Sequence, residues 1–254
     1  MKNKRTAEQQ QEIVYGFHPV SEAILSGKEI EKVLVQKGLR SDRFREIMKL
    51  LKSSGVPYQI VPHEKLNRIT RKNHQGIIGY ISPVHFYQLE QLLPTVFEEG
   101  RMPFLVIVDR ITDVRNFGAI LRSAEGAGVD AMIIPSRGSA QLNAGTIKSS
   151  AGAIFRLPIC RSDNLKNTLD FLKESGLQIV AATEKADTVY HDLNLAGPVA
   201  LILGAEDEGI SPEYLKKADG LIRIPMRGEV GSLNVSVAAG ILMYEVVRQR
   251  GASD

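Results

Sequence analysis

Cysteine is almost absent from this chain. Cys160 is the only one in 254 residues, so an intramolecular disulfide and a thiolate zinc cluster are excluded and a reducing compartment is expected. It sits in the apolar run RLPICR, where a small core residue is expected. Histidine is scarce too: His18, His63, His74, His85 and His191, with only His191 in the second half. Metal chemistry and histidine-base chemistry therefore find little support, and no metal is expected. No apolar stretch approaches the ~18 residues of a membrane span. The opening, MKNKRTAEQQQE, lacks the apolar core of a signal peptide and reads as a disordered tail over residues 1–12 of a cytoplasmic protein. Also missing are the G-x-G-x-x-G fingerprint, the Walker lysine loop and a serine in G-x-S-x-G context.

What is present is unevenly charged. Residues 1–85 carry 15 Lys and Arg against 8 Asp and Glu, a balance of +7, whereas residues 86–254 carry 17 against 21, or −4. A basic module joined to a mildly acidic one points to a polyanion-binding part and a chemistry part.

The first part reads as a compact α/β module over residues 13–83. IVYGFHPVSEAILSGKEI is expected to be helical after its Gly-His-Pro entry, KVLVQK and PYQIVP to be strands, SDRFREIMKLLKSSG and HEKLNRIT helices, and HQGIIGYISP a strand. Arg43, Lys52, Arg68, Arg71 and Lys72 are its candidate RNA contacts. Residues 84–103, preceded by Pro83 and punctuated by Pro94 and Pro103, read as a linker with a lead-in helix. From residue 104 to 254 six short apolar runs, FLVIVD, AMIIP, LPIC, QIVAAT, VALILG and LIRIP, alternate with helical segments. Buried runs separated by helices mean a mainly parallel sheet with helices on both faces.

In such sheets ligands bind beyond the carboxyl ends of the strands. Three of these ends are unusual. FLVIVD leads into Asp109 to Arg122, where Asn116 could cap the helix and Gly118 allow close approach of backbone or ligand. VALILG leads into Gly204-Ala205-Glu206-Asp207-Glu208-Gly209, before a Ser211-Pro212 helix start. LIRIP leads into a Gly-rich loop, Met226 to Asn234, and then a helix with almost no polar face from Val235 to Val247. That helix is expected to be buried, partly against a second copy of the chain.

These three loops resemble the three motifs of the SpoU family of RNA ribose 2'-O-methyltransferases, within the SPOUT superfamily. Asn116, Gly118 and Arg122 match N-x-G-x-x-x-R; Gly204, Glu206 and Gly209 match G-x-E-x-x-G; Ile224-Pro225-Met226 and Ser232-Leu233-Asn234-Val235-Ser236 match the third motif. The basic module resembles the substrate-binding domain of the branch that modifies a guanosine of large-subunit (23S) rRNA, on G-F-H-P-V-x-E-A-I and H-Q-G. One departure is Val114-Arg115, where many relatives have Pro after the Asp; Arg115 becomes a further candidate RNA contact.

The resemblance implies a deep trefoil knot in the C-terminal part, a homodimer, and S-adenosylmethionine held near Thr183, Leu203, Gly204, Glu206, Gly209, Ile224, Met226, Ser232, Leu233 and Asn234. It implies catalytic roles for Arg122, Asn116, Glu206, Ser232 and Asn234. Arginine, with a pKa above about 12, is an awkward base; a fork that clamps phosphate and steadies a developing alkoxide is easier for Arg122. The target stays open between a 23S rRNA guanosine, tRNA or another rRNA nucleotide, and a non-catalytic RNA-binding or ribosome-associated role.

Overall fold

The computed structural model describes residues 12–251. The chain forms two compact units: one runs to His85 and takes in Leu142–Ala144, the other holds Phe86–Gln141 and the chain from Gly145.

The first unit contains β1 (Ile13–Tyr15), α1 (Phe17–Leu25), β2 (Ile30–Gln36), α2 (Asp42–Ser53), β3 (Tyr58–Val61), α3 (His63–Ile69) and β4 (Ile77–Ile81). Its sheet has the order β1-β4-β2-β3, with β4 antiparallel to both neighbours and β2 parallel to β3. Alternate residues of a strand face opposite sides. Val33, Val35 and Ile77 accordingly pack with α1 and α2, while Leu34, Val61 and Ile78 pack with Leu66 of α3. The stretch read as one helix from residue 13 is instead strand, turn and helix. Gly16, at φ 91, breaks it, and Tyr15 pairs with Ile78.

The two motifs of this unit meet. Gln75, at φ 51, offers its Oε1 to the Phe17 N–H at 3.2 Å, so H-Q-G caps the helix that G-F-H-P-V begins. His74 is buried, accepts the Gly76 N–H on Nδ1 at 3.0 Å and lies 2.9 Å by Nε2 from Asn67 Oδ1. Burial, then the neighbouring His63, lowers its pKa.

The second unit begins earlier than the sequence implies. β5 (Phe86–Tyr87) pairs with a strand of the large sheet, and α4 (Leu89–Glu98) buries Leu89 and Leu93 in that sheet's core. The lead-in helix expected in residues 84–103 is α4, and the stretch joins the second unit because its apolar residues have a sheet to cover. There follow β6 (Phe104–Asp109), α5 (Val114–Gly126), β7 (Ala131–Pro135), α6 (Ala144–Ser149), β8 (Ile159–Ser162), α7 (Leu165–Glu174), β9 (Gln178–Ala182), β10 (Thr188–Val189), β11 (Val199–Gly204), α8 (Pro212–Leu215), β12 (Gly220–Arg223) and α9 (Val235–Gly251).

Eight strands lie in the order β10-β12-β9-β11-β6-β7-β8-β5, and every pair is parallel. Helices α4, α7 and α8 cover one face, through Leu93, Leu169 and Leu215 against Ile107, Ile179 and Ile202. Helices α5 and α9 pack on each other, and α9 reaches β11. At its far end Arg250 donates to the carbonyls of Met102 at 2.8 Å, Pro103 at 3.0 Å and Gly197 at 2.8 Å. That clasp ties the end of α9 to the lead-ins of β6 and β11. The apolar helix is only partly buried: Val237, Tyr244 and Val247 are exposed. Among the described residues no helix is long and apolar enough to cross a membrane.

Candidate active site

The carboxyl ends of β6, β11 and β12 carry the three loops, and each loop is shaped by a different local constraint. In the first, Asp109 is buried at the end of β6 and accepts both the Ser211 N–H and hydroxyl at 2.7 Å on Oδ2. Ser211 thus serves Asp109 rather than its own helix, which is a single turn. Arg110 follows in a left-handed conformation, φ 56, which a side chain rarely adopts. Its guanidinium donates to Glu208, to the Gly209 carbonyl at 3.2 Å and to Asp109 Oδ1 at 3.2 Å. Burial disfavours the Arg110 charge, but Asp109 and Glu208 outweigh it and raise the pKa.

Asp113, not Asn116, caps α5. Its Oδ1 accepts the N–H groups of Arg115 and Asn116, both at 2.9 Å. Val114 takes the first helical position, where proline is favoured. The cap fixes the helix start without a proline and leaves the Asn116 side chain available.

In the second loop Gly204 has no room for a side chain: a Cβ there would stand 2.3 Å from the Gly209 carbonyl carbon and 2.4 Å from the Ile210 nitrogen. The loop closes on itself, with the Gly209 N–H on the Ala205 carbonyl at 2.8 Å and Gly209 at φ 64. Gly118 has a comparable reason. A Cβ there would lie 1.9 Å from Ser149 Oγ, so it admits the end of α6 rather than a ligand.

The three loops converge on one carboxylate. Glu206 Oε1 accepts the Asn116 side-chain amide at 3.3 Å, the Val235 N–H at 3.1 Å and the Asn234 side-chain amide. Asn234 also donates to Asn116 Oδ1 at 3.0 Å, and its own Oδ1 accepts the Ser236 N–H at 3.0 Å. Glu206 therefore satisfies a donor at the start of α9, where a negative charge is favoured.

Beside this triangle lies a cavity of about 400 Å³. Thr183, Leu203, Gly204, Glu206, Gly209, Ile224, Met226, Ser232 and Leu233, all expected to hold cofactor, line it. Asn116, Asn234 and Arg122 are not among its lining residues. Arg122 is exposed on α5, and Arg115 is exposed in its first turn. Sequence reading passed over Glu184, Lys185, Ala238 and Leu242, which also line the cavity. It also gave Asp109 and Arg110 no role, although an Asp at the end of a wholly apolar strand is a signal of a buried acceptor.

The match to known proteins follows this geometry. Residues 103–244 match the SpoU rRNA methylase family, and residues 13–87 match the RNA 2'-O ribose methyltransferase substrate-binding domain. The chain belongs to the SpoU rRNA methylase family. A Staphylococcus saprophyticus protein placed in the TrmH family of tRNA/rRNA methyltransferases is 37% identical over 94% of this chain and 96% of its own length. The SpoU methyltransferase AviRb from Streptomyces viridochromogenes, solved with AdoMet, superposes with a TM-score of 0.60 at 26% identity, over 94% of this chain and 90% of its own. An AdoMet-bound rRNA methyltransferase from Sinorhizobium meliloti gives 0.60 at 25% identity, over 93% and 86%.

SpoU methylases use S-adenosylmethionine, and the cavity fits it. Small-molecule sites occupy roughly 300–1,000 Å³ and combine apolar walls with a few polar groups. Leu203, Ile222, Ile224, Met226 and Leu233 supply apolar walls of the kind that a purine ring would need. Glu184, Glu206, Asp207 and Glu208 outnumber Lys185 and Arg223 in the lining, which favours a cationic sulfonium. Among the described residues no cluster of three His, Cys, Asp or Glu side chains could hold a metal ion.

Proposed function

We propose that this RNA methyltransferase modifies a ribose 2'-hydroxyl, and that its target is a guanosine of large-subunit rRNA. The convergence of Asn116, Glu206 and Asn234 beside an apolar, acid-rimmed cavity carries the 2'-O-transfer reading. The rRNA target is supported by the basic first unit and by the S. meliloti rRNA enzyme, whose likeness covers 93% of this chain. A cytoplasmic location follows from such a substrate.

The cofactor, when bound, supplies a methyl group whose bond to sulfur breaks as its bond to the 2'-oxygen forms. The protein's part is position and charge. Glu206 and Asn234 hold the second and third loops, and Ser232 and Leu233 lie on the third loop's cavity side. Asn116 orients the reacting ribose. Arg122 binds the adjacent phosphate and stabilises the alkoxide as its proton leaves to that phosphate or to water.

Two further features belong to the same reading. We assign the second unit a deep trefoil knot: after β12, outside β9 in the sheet, the chain returns inward so that α9 packs on β11 and α5. We also assign a homodimer. Val237, Tyr244 and Val247 form an exposed apolar stripe at helical spacing on α9. Tyr244 donates to the carbonyl of Gly126, one turn beyond Arg122, at 3.4 Å, so the stripe borders the catalytic arginine's helix.

The decisive experiment incubates the purified protein with radiolabelled S-adenosylmethionine and total RNA from cells lacking the enzyme, then maps the label. Label on a 23S guanosine 2'-oxygen is expected. Label confined to tRNA would overturn the target, and label on a base nitrogen would overturn the reaction.

A further inference from the structure

The cations of the first unit that are candidates for RNA contact fall into two groups. Arg43 and Lys52 lie on α2, which packs with α1 on one side of the sheet through Ile47 and Leu51. Arg68, Arg71 and Lys72 lie at the end of α3 and in the loop after it, and α3 covers the other side. All five are exposed. Exposure alone does not separate them, but their surroundings do.

On α2 the basic residues are interspersed with Asp42 and Glu46, and Arg45 is paired with Asp42. This is the pattern of a solvated helix face. The α3 side is built differently. Here β1, β2 and β3 end together, and the chain enters β4: Gln36 N–H donates to the Gly76 carbonyl at 2.8 Å and Lys37 N–H to the Val61 carbonyl at 2.8 Å. His63 Nδ1 lies 2.8 Å from Gln36 Oε1, and the His63 and His74 rings are 5.3 Å apart. The bond between Asn67 and His74 fixes the end of α3, next to Arg68, against the loop that carries Arg71 and Lys72. That loop is therefore held, and its cations need less ordering when they meet a partner.

An aromatic ring lies beside these cations. Lys72 Nζ lies 5.7 Å from the Tyr15 ring centre. Tyr15 packs on the α3 side. Fixed cations beside rings are what a single-stranded or looped RNA requires: phosphates meet the charges and unstacked bases meet the rings.

We infer that the strand-end rim on the α3 side, formed by His63, Arg68, Arg71 and Lys72 with Tyr15, is the RNA-docking face of the first unit, and that α2 is not. The inference rests on the proposed RNA substrate and adds where its backbone and unpaired bases are held.

The test uses the full-length protein and protein-free 23S rRNA, with binding measured over a series of salt concentrations. The triple variant Arg68→Glu/Arg71→Glu/Lys72→Glu should lose at least about tenfold in affinity. Its salt slope should fall by about 2, since each single-strand phosphate contact contributes roughly 0.7. Lys49→Glu/Lys52→Glu on α2 should bind within about twofold of the unaltered protein. His63→Ala should lose severalfold in affinity at an unchanged slope. Unchanged S-adenosylmethionine binding in each variant establishes that the chain is folded. A loss that follows the α2 pair, or a triple variant that binds like the parent, overturns the inference. Failure of the unaltered protein to bind any rRNA would instead strike the proposed substrate.

Discussion

The Asn234 side-chain amide donates to Glu206 Oε1, the same oxygen that accepts the Asn116 amide at 3.3 Å and the Val235 N–H at 3.1 Å. One carboxylate thus joins three loops that lie far apart in sequence. Glu206→Ala leaves these donors to solvent; Glu206 and Asn234 are exposed, so each lost bond is worth about 0.5–1.5 kcal/mol. Methyl transfer should fall by roughly tenfold or more, with weaker S-adenosylmethionine binding because Glu206 also lines the cavity. Glu206→Gln, which keeps one acceptor oxygen, should retain most of the binding. Calorimetry and single-turnover assays separate the two effects, and a fully active Glu206→Ala would remove the carboxylate from the mechanism.

Arg122 is exposed and outside the cavity lining. Its removal should therefore spare the cofactor: Arg122→Ala should abolish methylation while S-adenosylmethionine affinity stays within a few-fold. Arg122→Lys should also turn over poorly, because an ammonium cannot make the planar two-pronged contact. Near-normal turnover in Arg122→Lys would mean that a point charge suffices.

Much of this site was legible as sequence, for a physical reason. Apolar strands of five or six residues and glycines at their ends carry strong local signals, and β6, β7, β9 and β11 lie where the runs FLVIVD, AMIIP, QIVAAT and VALILG put them. What was hidden depends on distant partners. Asn116 read as a helix cap because a short polar residue before an apolar run has that local meaning; only the fold shows Asp113 in the role and Asn116 facing Glu206. Two-residue strands such as β5 and β10 have no periodicity to read. Arg110 drew no role because neither Asp109 nor Glu208 announces itself as its partner.

Gly118→Ala tests the close approach of α5 and α6. The new methyl carbon would stand 2.6 Å from Ser149 Cβ and 2.9 Å from the Ser150 nitrogen, as well as meeting Ser149 Oγ. Overpacking of this kind costs roughly 1–3 kcal/mol, and thermal unfolding should show it as a lower Tm. Adding Ser149→Gly should recover part of the loss. An unchanged Tm for Gly118→Ala would show that the helices separate freely.

Cys160 should be inert in the native protein. Burial, reinforced by the nearby Glu90, pushes its thiol up to about 12. The folded state keeps its proton where the unfolded thiol, near 8.5, has begun to lose it. Two consequences follow. Iodoacetamide at pH 8 should label the protein only when it is unfolded in denaturant. Stability should also decline as pH rises above about 9, since the unfolded state then binds fewer protons than the folded one. Rapid labelling of native protein would place the thiol at the surface.

The proposed homodimer makes the most demanding prediction, because it concerns a surface that one chain leaves exposed. Val237 and Tyr244 are 51% and 53% exposed on a helix whose other side holds Ala239, Leu242, Met243 and Val246 in the core. Val237→Glu/Val247→Glu changes only the outer stripe, so the folded protomer should survive with its cofactor affinity intact. Light scattering should give about twice the 28.0 kDa chain mass for the unaltered protein and a single chain mass for the variant. Methylation should fall with dimerisation if one protomer presents RNA to its partner's Arg122 and cavity. A monomeric variant with full activity would leave the dimer without a catalytic role, and a variant that remains dimeric would move the interface away from α9.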